Sequence, residues 1–186
     1  MNRKSAGPPG PPRPTQNRDR EGASQATYLI TFVCYGSWLP GQAGAVDRTD
    51  NVFGSRLPDA NPNQQSYSTQ RILQPPYLLD SPRRKIVLEA IKEVCCHRHW
   101  NLVSAHVRTN HVHIVIAANQ PPEHVMTTLK AYASRALNQA NLDGPDRRRW
   151  ARHGSTRHLW TKEAVSAAVH YVVCEQGEPM EVWETP

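Results

Sequence analysis

The stretch Arg108-Thr109-Asn110-His111-Val112-His113-Ile114-Val115-Ile116 constrains this chain more than any other. Its β-branched residues, and the alternation of Val112, Ile114 and Ile116 with His111, His113 and Val115, predict a strand. Residues two apart on a strand share a face. Val112, Ile114 and Ile116 therefore fill a core, while His111 and His113 stand side by side on the other face, about 7 Å apart along the chain. Two imidazoles so placed either hold a divalent metal or are two half-exposed polar side chains, and His-x-His alone leaves both readings open.

What surrounds the strand narrows the choice. A chain of 186 residues is long enough for one domain with a real core and short for two. Twenty-two Lys and Arg against 16 Asp and Glu give a formal net charge of +6, which suits a polyanionic partner such as nucleic acid. No run of 18 apolar residues exists, so no membrane-spanning helix is expected. Pro and Gly follow Arg3 and Lys4 where a signal peptide needs its apolar segment, so a cytoplasmic protein is expected. Cys34, Cys95, Cys96 and Cys174 lack C-x-x-C spacing and read as small buried residues in a reducing compartment rather than a zinc knuckle.

Residues 1–26, rich in Pro, Gly, Arg, Gln and Ser, read as a disordered basic tail. The domain then runs over 27–180, with 181–186 as a C-terminal tail. Thr27–Cys34 is a β-prone run with the character of a central strand. Residues 41–79, polar with isolated apolar positions, are too long for a simple loop and read as an insertion lying over the domain, with room for short helical or strand pieces. Ser81-Pro82 predicts a helix start, with Ile86, Ala90, Ile91, Val94 and Cys95 as its apolar stripe. Trp100–Val107 predicts the next strand, joined to the histidine strand as an antiparallel hairpin. A second helix is expected over 123–140, with Val125, Leu129, Tyr132, Ala133, Ala136 and Leu137 inward and Lys130 away from that stripe. Strand, helix, strand, strand, helix is the opening of an α+β, ferredoxin-like (RRM-like) antiparallel sheet with helices on one face and the other face open for a site. The last strand is expected around Arg157–Trp160.

Before that strand, five arginines, Trp150 and His153 crowd into residues 146–157. Guanidinium groups grip phosphates and an aromatic plane stacks on a base, the combination expected for single-stranded nucleic acid; a solvated basic loop is the other reading. Arg148, Arg149, Trp150, Arg152 and Arg157, with Lys130, are the candidate DNA contacts. Thr161 then caps a helix expected over Lys162–Gln176, stopped by Gly177, with Val165, Ala168, Val169, Val172 and Val173 as its buried stripe. Tyr171 falls off that stripe. At 100° per residue Glu175 shares its side one turn on, whereas Gln176 lies further round.

In order along the chain come Thr109-Asn110-His111-Val112-His113, a basic Gly-Ser-Thr-Arg-x-Leu-Trp segment, and a helix bearing a tyrosine followed by Glu and Gln. This order resembles the single-tyrosine HUH transposases, of the insertion-sequence and REP-associated type, over roughly 27–176 without the insertion. The resemblance implies that Tyr171 is the nucleophile. It also implies that His111, His113 and a polar residue of the tyrosine helix bind Mg²⁺ or Mn²⁺, ahead of Zn²⁺. The family commonly places glutamine four residues after the tyrosine. Here that position is Glu175, which becomes the expected third ligand, with Gln176 second. Single-stranded DNA with hairpin ends, a homodimer that often pairs the tyrosine helix of one subunit with the His pair of the other, and a 5′-phosphotyrosine intermediate are likewise implied. Three alternatives stand beside it: a relative that binds DNA without cutting, a zinc hydrolase built on His111, His113 and Glu175, and an RNA-recognition-type module, for which no paired aromatic signature is present.

Overall fold

The computed structural model describes residues 25–43 and 59–185. Most of the expected N-terminal tail and part of the expected insertion lie outside the described residues. The elements follow as β1 (Ala26–Cys34), α1 (Pro62–Gln70), α2 (Ser81–Arg98), β2 (Asn101–Val107), β3 (His111–Ala118), α3 (Pro122–Gln139), β4 (Trp150–Leu159), α4 (Lys162–Cys174) and β5 (Glu181–Glu184). They build one five-stranded antiparallel sheet in the order β4-β1-β3-β2-β5. Without β5 this is the ferredoxin-like order, with α2 and α3 as the two crossover helices.

The alternation of β3 works as expected on the core side. Val112, Ile114 and Ile116 are fully buried with Ile30 and Phe32 of β1 and with Val87, Ile91 and Val94 of α2 and Leu129 and Leu137 of α3. The opposite face is not fully open. There α4 lies across β2 and β3 and makes a second apolar cluster of Val115, Leu159, Ala168 and Val172. Asp80, rather than Ser81, caps α2 by accepting from the Arg83 amide, and Thr161 caps α4 through the Ala164 amide, 3.1 Å away.

Two expectations are corrected. Residues 150–156, read as a basic connector, belong to β4, whose register runs from Thr27↔Leu159 to Cys34↔Trp150. Backbone pairing to β1 builds this edge strand, and its largely exposed side chains leave no hydrophobic alternation to read. Residues 181–184, read as tail, form β5 on the free edge of β2. The long segment 41–79 contains α1, whose cap Asn61 accepts from Gln64, and a stretch anchored by Arg147, which donates to Gln74 and to the carbonyls of Pro75 and Pro76.

Candidate active site

His111 and His113 reach the α4 face of the sheet at the start of β3, their ring centroids 4.7 Å apart. Each ring is fixed through Nδ1. Thr31, the cross-strand partner of His113 on β1, places its hydroxyl 2.7 Å from His113 Nδ1. Asn110, in the hairpin turn, places its side-chain oxygen 2.8 Å from His111 Nδ1. An amide oxygen only accepts, so His111 carries its proton on Nδ1 and keeps a lone pair on Nε2. Burial pushes His111 down to about 4, with the Arg108 guanidinium adding to the shift. Burial pushes His113, 3% exposed, down to about 3, helped by His111 and His106. Both rings are neutral at pH 7, the form a metal takes.

α4 delivers Tyr171 to this pair. Buried Val172, worth about 2 kcal/mol of transfer energy, seats the helix on the sheet one residue away. Tyr171, 39% exposed, turns its ring to 5.3 Å from His113 at 72°. The phenol and the imidazoles of a single chain are thus assembled in cis. His106 of β2 braces the arrangement from inside the protein. It is fully buried and stands beside His113 in register. Its Nδ1 donates to the Val172 carbonyl at 2.9 Å, and its Nε2 accepts from the Met180 amide at 3.3 Å.

The third side chain at the pair is Gln176, and Glu175 is elsewhere. The same-side argument for Glu175 assumed a helix running through 176, but α4 ends at Cys174 and Glu175 is its C-cap at φ −103°. The carboxylate of Glu175 instead lies 3.4 Å from His170 Nε2, with both side chains exposed. Past the helix end Gln176 is half-buried and close enough to both imidazoles to favour their protonated forms. Its amide nitrogen donates to the Tyr171 carbonyl at 2.9 Å, which leaves the amide oxygen for the rings. Among the described residues no third His, Cys, Asp or Glu joins the pair. Two neutral imidazoles and an amide oxygen, all lone-pair donors on one small area, are a donor set that a divalent metal ion can take, without the Glu175 carboxylate of the zinc-hydrolase reading.

The candidate DNA contacts divide. Arg149 is buried at 4% exposure and donates to Asp143 at 3.3 Å, in a cluster completed by Arg83 and Tyr77. Trp150 is half-buried, edge-on to Phe32, and donates its indole N–H to the Lys130 carbonyl and the Ser134 hydroxyl. Lys130, whose ammonium burial pushes down to about 8, donates to the carbonyls of Ala151 and His153. These three side chains tie β4 and its approach to the fold, which charge-counting along the sequence does not see. Arg148 and Arg152 are exposed, and Arg157 is half-buried.

Sequence reasoning passed over Thr31, Asn110, His106 and Trp38. Thr31 was detectable as the one polar inward position opposite the His pair once the β1–β3 register is known. Trp38 lies in the turn after β1, and its indole overlies the His111 ring at 4.9 Å and 32°.

Among known families, the one described as "Transposase IS200 like" matches residues 76–175. The solved structure of a REP-associated tyrosine transposase bound to a REP hairpin is similar at 12% identity and a TM-score of 0.46, covering 82% of this chain and 67% of that one. No curated protein matches the chain.

Proposed function

The chain belongs to the IS200-like transposase family, and from that membership we propose that it cleaves and rejoins single-stranded DNA through a covalent 5′-phosphotyrosine on Tyr171. The observation that carries the proposal is the cis assembly of Tyr171, His113 and His111, with ring separations of 5.3 and 4.7 Å. His111, His113 and Gln176 are the residues that would hold Mg²⁺ or Mn²⁺, whose charge, when bound, offsets the negative charge that develops on the phosphate oxygens.

The protein's own groups do the rest. Thr31 and Asn110 fix the imidazole orientations, so the donor set is formed before DNA arrives. Tyr171 is partly exposed on a helix end clamped by His106, so its hydroxyl can approach a phosphate lying on the His pair without rearrangement of the fold. Attack by the Tyr171 oxygen forms the new P–O bond as the bond to the 3′-oxygen breaks. The phenol proton passes to solvent and the leaving oxygen takes one up. The phosphodiester's energy stays in the phosphotyrosine, so a second 3′-hydroxyl can reverse the step and complete strand transfer without ATP. Hairpin-ended DNA, a homodimer, and a cytoplasmic, nucleoid-associated location complete the proposal. The cis geometry makes each subunit competent to cut by itself.

The test is incubation of the full chain with end-labelled single-stranded hairpin DNA and Mn²⁺. A covalent adduct that is lost in Tyr171→Phe, with DNA binding retained, is expected. Cleavage without an adduct, undiminished in Tyr171→Phe, would make water the nucleophile and overturn the proposal.

A further inference from the structure

The indole of Trp38 is the feature of this site that the proposed reaction leaves without a task. It is 43% exposed, a poor place for a large apolar ring. Its backbone sits at φ +49°, a left-handed conformation that costs a non-glycine residue about 1–2 kcal/mol and persists only where its surroundings enforce it. The surroundings do enforce it. Gly36 and Gly41 flank the turn at φ +76° and +93°. A Cβ on Gly36 would meet Pro76 at 2.9 Å, and one on Gly41 would run into the backbone of Asn61 and Gln65. Ser37 donates to the Cys34 carbonyl at 3.1 Å, Leu39 to the Gln42 side chain at 3.0 Å, and Asn61 to the Gly41 carbonyl at 2.8 Å. Part of segment 41–79, α1 and Pro76 included, therefore serves as the buttress for this turn. What it holds in place is an indole with one face on His111 and ring surface still open to solvent.

The rings form a row: Trp38, His111, His113, Tyr171, at successive centroid separations of 4.9, 4.7 and 5.3 Å. Tyr171 approaches from the His113 end. In-line displacement puts the attacking oxygen and the leaving 3′-oxygen on opposite sides of the phosphorus, so the leaving nucleotide lies at the His111 end, where Trp38 is. We propose that Trp38 is the stacking platform for the base of the nucleotide that departs with the 3′-hydroxyl, and so sets the base preference on the 5′ side of the cut. This inference rests on the phosphotyrosine reading above. Trp38 lies outside the residues matched to the family, 76–175.

An aromatic ring holds any base by its π-face and purines, with the larger face, more firmly. Alanine in its place therefore lowers cleavage about tenfold or more. The probe is a single-stranded oligonucleotide pool with a fixed hairpin flanked on both sides by randomised nucleotides, cut by the full chain with Mn²⁺ and sequenced at both new ends. The wild-type chain is expected to favour a purine as the last base before the 3′-hydroxyl. Trp38→Ala is expected to lose that preference and the rate, and Trp38→Phe to retain the preference with a smaller loss. Base preference at the tyrosine-linked end stays the same in all three, as does Mn²⁺ affinity. Unchanged rate and preference in Trp38→Ala, a change confined to the tyrosine-linked end, or a parallel loss of Mn²⁺ affinity, which would make Trp38 only a support for His111, overturns the inference. Cutting by the wild-type chain without an adduct overturns the phosphotyrosine reading first.

Discussion

Replacing Thr31 by valine is the most economical probe of the site, because the two side chains share a shape and differ by the hydroxyl that lies 2.7 Å from His113 Nδ1. His113 is 3% exposed, so water does not replace the lost partner. A buried polar group left unpaired costs about 1–3 kcal/mol, which for a domain of this size lowers the melting temperature by about 2–12 °C. The second effect is separate. Without the hydroxyl the hydrogen bond that fixes the proton and the turn of the His113 ring at Nδ1 is gone, and loss of such a partner costs about 10–100-fold in metal affinity. At saturating Mn²⁺ that removes about 1.4–2.7 kcal/mol from the metal-dependent part of the stability. Thermal unfolding with EDTA and with a Mn²⁺ series, alongside calorimetric titration, reads both effects. A lower melting temperature in EDTA with an unchanged Mn²⁺-induced rise would refute the reasoning, for Thr31 would then be a packing residue alone.

Gln176→Ala should weaken Mn²⁺ binding at least tenfold and Glu175→Ala should leave it within twofold; calorimetry giving the reverse order would return the third position to the carboxylate. In EDTA, stability should fall as pH drops from about 6.5, the unfolded value for histidine, towards the folded values of about 4 for His111 and about 3 for His113, because over that window the unfolded chain binds the protons. Urea midpoints from pH 7 to 4 should show this fall, with a shallower one in His113→Gln; equal slopes would contradict the burial argument. Arg149→Met should cost about 3 kcal/mol in urea unfolding by breaking the buried contact to Asp143. The double substitution Arg148→Gln, Arg152→Gln should leave stability within about 0.5 kcal/mol yet weaken single-stranded DNA binding and flatten its salt dependence. An unchanged salt slope would reduce both arginines to solvated side chains.

The strands and helices of the central unit were legible because their burial is periodic. Val112, Ile114 and Ile116 mark a sheet face, and Val125, Leu129 and Leu137 mark a helix face, with no need of partners. That His111 and His113 share one face of β3 and that Tyr171 falls off the buried stripe of α4 was legible for the same reason: each placement is defined by its own element. What escaped is what two distant segments decide together. Arg149 reads as a free cation until Asp143 is folded against it, and β4 reads as a loop until β1 supplies its hydrogen bonds. The same-side placement of Glu175 fails at an element's end, where α4 stops one residue before helical arithmetic needs it. Trp38 offered only a Gly-rich turn, since its neighbour His111 lies over seventy residues along the chain.

Two structural bodies meet at this site. The imidazoles belong to the sheet, while Tyr171 and Gln176 belong to the last turn of α4 and the residues just after it, joined by the bond from the Gln176 amide to the Tyr171 carbonyl. Tyr171 and Gln176 therefore travel as one piece. Any force that draws Gln176 towards the histidines draws the tyrosine with it, and by reciprocity a helix end that swings away carries off both. His106, bonded to the carbonyl of Val172, ties that helix end to the sheet. Were the proposed homodimer to exchange its tyrosine helices, each chain would have to give up both this bond and the burial of Ala168 and Val172 beside it.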